Sequence, residues 1–156
     1  EVISDIIDDK EGIKAAVIGM GNLGKAIQKY LTGKRHKLEI VAGFDINSDK
    51  IGKTHKGVSC YPLDSLGDVI KEKNIKLGIL TVPADQASLT TELLVKAGIK
   101  GILNYTPKPV NVPDGIYLEE YDMITTLEKV AFYIKIREEE ENNLEDVKGE
   151  SISKSH

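Results

Sequence analysis

Short apolar runs alternate with amphipathic segments along most of the chain, beginning at Ile13. The runs predict buried strands, and the alternation is typical of βα units that build a parallel sheet. The predicted strands are Ile13–Gly19, Leu38–Asp45, Lys76–Val82, Gly101–Asn104 and Ile116–Leu118. The loop-like stretch from Asn47 to Cys60 carries one further short strand near Val58. The pattern therefore predicts an α/β fold with a doubly wound parallel sheet.

Apolar residues at spacings of three and four predict the helices. The first helix spans Asn22–Leu31, and we expect its apolar stripe to face the sheet; the stripe consists of Leu23, Ala26, Ile27 and Tyr30. A second helix is predicted around Leu63 to Ile70, and a third runs from Leu89 to a C-terminus set by Gly98. The last begins at about Ile124, with an apolar stripe of Leu127, Val130, Ala131 and Ile134.

These elements define one domain over residues 13–136, and 156 residues leave no room for a second full domain. Residues 1–12 are predicted to be a linker or a short helix. Residues 137–156 are acidic and carry few apolar side chains, so burial cannot offset the entropy of ordering them. A frayed helix end and a disordered tail are therefore predicted there.

Composition narrows the class of protein. The net charge of −4 argues against nucleic-acid binding by this chain alone, because such domains present a clustered basic face. The apolar stretches are far shorter than the roughly 20 residues that cross a bilayer. The single cysteine, Cys60, cannot form an internal disulfide, so a soluble cytoplasmic protein is expected. Glu1 in place of an initial Met is expected of a fragment or a processed product.

A glycine-rich motif lies where the first strand meets the first helix, with the sequence Gly19-Met20-Gly21-Asn22-Leu23-Gly24. In such a motif the first glycine permits a tight turn, the second lets the backbone approach a pyrophosphate, and the third lets helix and strand pack closely. The pyrophosphate then meets the amides and the positive end of the helix. The motif alone also fits an ordinary turn, but its position predicts a Rossmann-type dinucleotide site.

Asp45 ends the second strand about 20 residues after the last glycine, where a carboxylate accepts hydrogen bonds from the adenosine ribose. A carboxylate there repels a 2′-phosphate, and the nearest following cation is Lys50. NAD or NADH is therefore favoured over NADP. The alternative is that Asp45 only caps a turn.

Two further strands end at the same predicted edge, where ligands of open α/β sheets bind. Val82, Pro83 and Asn104 are candidates for cofactor contact there, although Pro83 also suits a simple strand terminator.

Groups for catalysis are missing from these positions. The three histidines, His36, His55 and His156, lie in polar runs or at the chain end, and none follows a strand. Cys60 has no neighbouring base in sequence, so a small buried or edge residue is expected rather than a nucleophile. No metal-ligand spacing appears. The sequence therefore predicts a protein that is not an enzyme and holds no metal.

Several of these segments occur together in one known family. The chain resembles the nucleotide-binding domain of the Rex family of redox-sensing transcriptional repressors. The resemblance runs from about Val17 to Ile134 and rests on Val17–Gly24, Gly43–Asp45, Lys50–Gly52, Thr81–Ala84, Ala97–Asn104 and Tyr121–Asp122.

The resemblance implies a homodimer in which each chain pairs an N-terminal winged-helix DNA-binding domain with this Rossmann domain. It also implies a C-terminal helix exchanged between subunits, here Ile124 to Ile136. The glycine motif and Asp45 would bind NADH or NAD, whose ratio would set the affinity for DNA, with NADH favouring the DNA-free form. Tyr30 and Asp122 would belong to a redox-sensitive network near the nicotinamide. From the residues alone, Tyr30 also suits a core aromatic and Asp122 a helix N-cap.

The chain departs from the family pattern because the winged-helix domain is missing, which suits either a shortened chain or a natural stand-alone relative. Tyr105 and Thr106 stand where the family commonly has Phe and Ala, and Met123 follows the Asp. Two alternatives remain open: a cofactor-domain fragment of an NAD-dependent dehydrogenase, and a stand-alone Rossmann protein that binds CoA or another nucleotide.

Overall fold

The computed structural model describes residues 12–32 and 37–154. The chain divides into two compact units, Glu1–Tyr121 and Asp122–His156, which are treated separately below. The linker or short helix predicted over residues 1–12 lies outside the described residues except for Gly12, and His36 and His156 lie outside them as well.

The first unit is built on one seven-stranded sheet. Its strands are β1 (Ile13–Ile18), β2 (Leu38–Asp45), β3 (Thr54–His55), β4 (Val58–Pro62), β5 (Leu77–Leu80), β6 (Gly101–Asn104) and β7 (Tyr117–Glu120). The order across the sheet is β3-β4-β2-β1-β5-β6-β7, and every neighbouring pair is parallel except the β3–β4 hairpin. The chain reverses its direction of travel across the sheet between β1 and β5. This is the doubly wound Rossmann arrangement, so the predicted fold class is confirmed.

Three helices belong to this unit, α1 (Asn22–Leu31), α2 (Leu66–Glu72) and α3 (Ala87–Lys96). Short 3₁₀ turns precede α2 at Leu63–Ser65 and α3 at Ala84–Gln86. The bounds predicted for α1, β2 and β6 are confirmed, whereas the stretch after Asn47 contains a hairpin rather than one strand. A turn with positive φ at Lys56 and Gly57 closes that hairpin.

The C-terminus predicted for α3 at Gly98 is confirmed in its detail. Gly98 has a φ of +87°, the left-handed region that favours glycine. The amide of Ile99 donates to the carbonyl of Leu94, and the amide of Gly98 donates to Val95. These two bonds form a Schellman motif, which ends the helix and turns the chain into β6.

The sheet has two unlike faces. The two-helix face, where α2 and α3 pack, has a core that includes Ile18, Phe44, Leu80, Leu94 and Ile102, all 1 % exposed or less. The one-helix face, where α1 packs, carries a smaller core of Ala15, Val17, Met20, Ile40, Val58, Cys60 and Ile79. The apolar core of this unit is therefore concentrated on the two-helix face.

The prediction that the apolar stripe of α1 faces the sheet was wrong for most of its residues. Leu23 is 46 % exposed and Tyr30 is 67 % exposed, and Ala26 is also exposed. The helix instead buries Gly24 and Gln28. The close approach of Gly24 to the carbonyl of Gly19 sets the rotation of α1 about its axis, and that rotation leaves most of the apolar stripe outside the core.

The second unit consists of one long helix, α4 (Met123–Ser153). The disordered tail predicted from residue 137 was wrong for the described residues, because α4 runs on to Ser153 and spans 31 residues in all. Glu, Lys and Arg are strong helix formers, and extending a helix costs far less than nucleating one. Among the described residues, no helix has both the length and the apolar character needed to cross a membrane.

Candidate functional site

The glycine loop between β1 and α1 allows no side chain at its first and last glycines. Gly19 has a φ of +103°, and a Cβ there would lie 2.8 Å from the carbonyl carbon of Thr81. A Cβ on Gly24 would collide with the carbonyl oxygen of Gly19. The loop is therefore pressed against the end of β5 on one side and against its own helix on the other.

Gly21 differs from the other two glycines because a Cβ there would meet nothing within 4 Å. Gly21 is the N-cap residue of α1, it contributes no side-chain cap, and the first turn of α1 contains no acidic residue. The first amides of a helix have no partner within it, and the helix dipole makes this end positive. The loop thus offers free amide donors beneath an open approach.

Thr81 follows β5, the strand next to β1, and holds the glycine loop by hydrogen bonds. Its amide donates to the carbonyl of Ile18 at 2.8 Å, and its hydroxyl lies 2.7 Å from the carbonyl oxygen of Gly19. Thr81 is not among the site residues predicted from the sequence. A hydroxyl residue directly after β5, where the sheet reverses direction, was the signal available.

Asp45 holds the other side of the loop. Its Oδ2 accepts a bond from the amide of Met20 at 2.8 Å, and its Oδ1 accepts one from the amide of Asn47 at 2.9 Å. The bond from Asn47 is a turn cap, so this alternative role is present in the structure. Each carboxylate oxygen keeps a further lone pair, so Asp45 still accepts hydroxyl donors.

A cavity of about 410 Å³ lies over this arrangement. The predicted site residues that line it are Gly19, Gly21, Asn22, Leu23, Asp45, Val82 and Pro83. The lining residues that were not predicted as site residues are Ile18, Phe44, Ile46, Lys50, Leu63, Thr81 and Gln86. The structure therefore brings the glycine loop, the end of β2 and the end of β5 to one cavity.

Three of the residues predicted to bind the cofactor are not in the lining. Gly24 is buried beneath the loop, and Met20 is 2 % exposed, with its sulfur against Gly43. Asn104 is 1 % exposed, and its side chain donates to the carbonyl of Lys108 at 2.8 Å while accepting bonds from the amide and hydroxyl of Thr106. The polar atoms of Asn104 thus hold its own loop, which makes Asn104 a positioning residue in this arrangement.

An apolar groove of about 450 Å³ lies on the one-helix face beside α1. Its lining residues are Ala26, Ile27, Tyr30, Leu31, Leu38, Leu77, Ile79, Leu103 and Tyr105. Tyr105 also packs against Tyr121, with ring centroids 4.9 Å apart and the rings tilted by 43°. Of the exposed members of the α1 stripe, Ala26 and Tyr30 therefore border this groove, whereas Leu23 lines the dinucleotide cavity.

Asp122 is the N-cap of α4. Its Oδ1 accepts a bond from the amide of Thr125 at 3.0 Å, and its Oδ2 accepts one from the hydroxyl of Thr125. The bonds from the Thr125 side chain and backbone lower the pKa of Asp122. The alternative role as a helix N-cap is confirmed.

Cys60 is buried, as expected, with 6 % of its surface exposed. Burial raises the pKa of its thiol, and the nearby charge of Asp45 raises it further. A raised pKa keeps the thiol protonated at neutral pH, which disfavours nucleophilic chemistry.

The residues in the cavity fit a dinucleotide. Free amides at the start of α1 suit a pyrophosphate, the space over Gly21 admits its close approach, and the carboxylate at the end of β2 suits ribose hydroxyls.

Comparisons with known proteins agree with this geometry. Residues 10–108 match the family described as the CoA binding domain. Redox-sensing transcriptional repressor Rex of Bacillus licheniformis is 40 % identical over 129 residues, covering 83 % of this chain and 60 % of the relative. Rex of Listeria welshimeri is 33 % identical over 135 residues, covering 86 % of this chain and 63 % of the relative. The chain thus spans less than two thirds of the length of these two relatives.

Solved structures of a Rex-family repressor called RSP give the same result. RSP in complex with NADH has a TM-score of 0.80 and 30 % identity, covering 90 % of this chain and 68 % of that chain. RSP in complex with NAD⁺ and operator DNA has a TM-score of 0.75 and 32 % identity, covering 95 % of this chain and 66 % of that chain. The chain therefore belongs to the CoA binding domain family and to the Rex family.

Proposed function

We propose that this chain is the NAD(H)-binding, redox-sensing domain of a transcriptional repressor. The observation that carries the proposal is the cavity in which the free amides of the glycine loop lie beside the carboxylate of Asp45. Support comes from RSP, a relative whose structures are complexes with NADH and with NAD⁺ and operator DNA. DNA binding would belong to a winged-helix domain outside this chain.

Each side of the cavity would have a separate task in binding. The amides around Gly21 and the start of α1 would receive the pyrophosphate. Asp45 would accept bonds from the adenosine ribose and exclude a 2′-phosphate. Val82 and Pro83 would form the apolar wall at the end of β5, with Thr81 holding the loop in place behind them. Bound NADH or NAD⁺ supplies the charge difference on the nicotinamide that the repressor would sense.

A sensor binds its ligand without turning it over. NADH and NAD⁺ can shift a conformational equilibrium only through their different affinities for its two states. We propose Tyr30 and Asp122 for the redox-sensitive network. Tyr30 also lines the apolar groove, and Asp122 is also the N-cap of α4. Sustained hydride transfer to a small substrate would instead favour the dehydrogenase alternative.

We further propose a homodimer in which α4 of one copy occupies the apolar groove of the other. The first half of α4 carries several apolar residues that are more than half exposed in the single chain, namely Met123, Ile124, Leu127, Val130, Phe132, Tyr133 and Ile134. The groove residues Tyr30 and Leu103 present complementary apolar surface on the first unit. Exposed apolar patches of this kind mark association sites in soluble proteins.

The deciding experiment is calorimetric titration of the full chain with NADH, NAD⁺, NADPH and CoA in parallel. We expect NADH to bind more tightly than NAD⁺, and NADPH to bind less tightly still. Asp45→Ala should weaken NADH binding by about 1.5–3 kcal/mol, because it removes charge-assisted bonds to the ribose. Asp68→Ala, at an exposed position on α2, is the matched control and should leave the affinity unchanged.

A second candidate function is CoA binding, which the description of the matching family favours. CoA carries a 3′-phosphate on its ribose, and Asp45 would oppose a phosphate in this neighbourhood. Preference of the wild-type chain for CoA over both nicotinamide nucleotides would contradict the sensor proposal.

A further inference from the structure

A second cavity, of about 310 Å³, shares the lining residue Lys50 with the dinucleotide cavity. It lies between α1, the loop after β2 and the β3–β4 hairpin. The residues in its lining that matter here are Lys25, Asp49, Lys50, Lys53, Thr54 and His55. We call it the lysine cavity.

The charge of the lysine cavity is positive. Three ammonium groups face one carboxylate, that of Asp49, across the lining. Lys50 is engaged already, because its Nζ donates to the carbonyl of Met20 at 2.8 Å. Within residues 12–32 and 37–154, neither Lys25 nor Lys53 forms an ion pair with a carboxylate. Two cationic groups therefore remain for an anion.

The hairpin wall of the lysine cavity is held rigidly. The amide of Cys60 donates to the carbonyl of Lys53 at 2.9 Å, and the side chain of the fully buried Gln28 donates to the carbonyl of His55 at 2.6 Å. Lys53, Thr54 and His55 are thus fixed relative to α1, which carries Lys25.

The same region contains two polar atoms that lack partners. Gln28 Oε1 and His55 Nε2 are both buried and have no hydrogen-bond partner in the described part of the chain. Unsatisfied buried polar atoms are rare in folded proteins and call for an explanation. A water drawn in with a ligand would donate to Gln28 Oε1, and His55 Nε2 would donate to an acceptor when it carries the proton.

We propose that the lysine cavity binds a phosphate group, separately from the dinucleotide. A phosphate dianion matches the two available ammonium groups, which act as compact point charges with three donors each. The hydroxyl of Thr54 adds a neutral donor in the lining. A metal ion does not fit, because the cavity presents ammonium groups where a cation needs carboxylates or neutral ligands.

The phosphate group could come from either of two sources. One is free inorganic phosphate or a phosphomonoester, and the other is the 2′-phosphate of NADP(H). We favour the first, because Asp45 lines the dinucleotide cavity at the end of β2, where its carboxylate repels a 2′-phosphate. Lys50 lines both cavities, so a phosphate in one is expected to change the affinity for a nucleotide in the other. This coupling acts reciprocally.

The test is titration of the full chain with sodium phosphate at constant ionic strength, followed by calorimetry and by ³¹P NMR. Constant ionic strength removes the general screening of surface charges. The double variant Lys25→Gln/Lys53→Gln should lose about tenfold or more in phosphate affinity, since two charge-assisted bonds are removed. The double variant Lys29→Gln/Lys96→Gln has the same charge change at exposed positions outside the cavity and should bind phosphate like the wild type.

The outcomes separate the possibilities. Saturable binding of one phosphate that only the cavity variant loses supports the proposal. No saturable phosphate binding, or an equal loss in both double variants, overturns it. Binding of NADPH that is as tight as that of NADH, and weakened only by the cavity variant, assigns the cavity to the 2′-phosphate and overturns the separate site. NADH titration of the same samples reports on the sensor proposal independently.

Discussion

Two adjacent residues of β6 experience opposite environments. Ile102 points into the two-helix face and is 1 % exposed, surrounded by side chains from its own chain. Leu103 points into the one-helix face, is half-buried and lines the apolar groove. A single strand therefore passes between a core that the chain completes by itself and a surface that it leaves open.

This difference separates folding from assembly. Residues of the two-helix face have all their apolar neighbours within one chain, so their contribution to stability does not depend on protein concentration. In the proposed dimer, the groove would gain further apolar neighbours when a second copy binds, so that part of its contribution would follow mass action. Substitutions on the two-helix face should therefore lower the stability of the single chain, whereas substitutions in the groove should mainly weaken the dimer.

The largest effect is expected for Ile102→Ala. Removing a buried aliphatic side chain from the two-helix face leaves a cavity and should lower the free energy of unfolding by about 2–5 kcal/mol. Chemical denaturation at two protein concentrations measures it. We expect the same loss of unfolding free energy at both protein concentrations. A smaller loss at the lower concentration would contradict the idea that one chain completes this core.

Leu103→Ala tests the other face at the neighbouring position. We expect a loss of only about 1 kcal/mol in the unfolding of the single chain, because the side chain is half-buried there. The dissociation constant of the dimer should rise by roughly tenfold or more, as for a central apolar contact. Sedimentation velocity measures the dimer, and a dissociation constant equal to that of the wild type would contradict the proposed use of the groove.

Thr81→Val tests the edge where the two faces meet above the glycine loop. Loss of the hydroxyl near the carbonyl of Gly19 should cost about 1 kcal/mol of stability and weaken NADH binding several-fold. Thr91→Val is the matched control, since the hydroxyl of Thr91 also donates to a carbonyl, that of Ala87, but within α3 on the two-helix face. The control should lose stability alone. An equal loss of NADH affinity in both variants would contradict the proposal that Thr81 supports the cofactor site by holding the glycine loop.

The smallest effect concerns α4, the helix proposed to complete the one-helix face. Hydrogen bonds from Thr125 lower the pKa of Asp122 in the folded state, so its contribution to stability is present above its unfolded pKa and is lost as the pH falls through the folded value. Wild type should be slightly more stable than Asp122→Asn at neutral pH, and this difference should disappear in acid. Thermal unfolding between pH 7 and pH 2 measures it, and a difference that is independent of pH would contradict the assignment.

The sequence predicted those parts of the molecule that depend on local pattern. The bounds of α1, β2 and β6 and the end of α3 at Gly98 follow from local rules of periodicity and capping. The presence of the glycine motif and Asp45 at one cavity follows from the spacing of the Rossmann motif. The rotation of α1 did not, because it is set by the contact of Gly24 with Gly19, and apolar periodicity does not distinguish a core from a partner surface. Asn104 was taken for a ligand contact because its position at a strand end does not reveal that Thr106 and Lys108 engage its side chain. The length of α4 was missed because low apolar content was weighed above the helix propensity of Glu and Lys.

The bonds from Met20 and Asn47 to Asp45 have a kinetic consequence. The bond from Met20 holds the glycine loop and the bond from Asn47 holds the carboxylate of Asp45 before any nucleotide arrives, so association does not wait for a loop to close. The observed association rate should then rise linearly with nucleotide concentration, and the preference between NADH and NAD⁺ should be expressed mainly in their dissociation rates. For a redox sensor this means that the speed of the response is limited by the residence time of the ligand that is leaving.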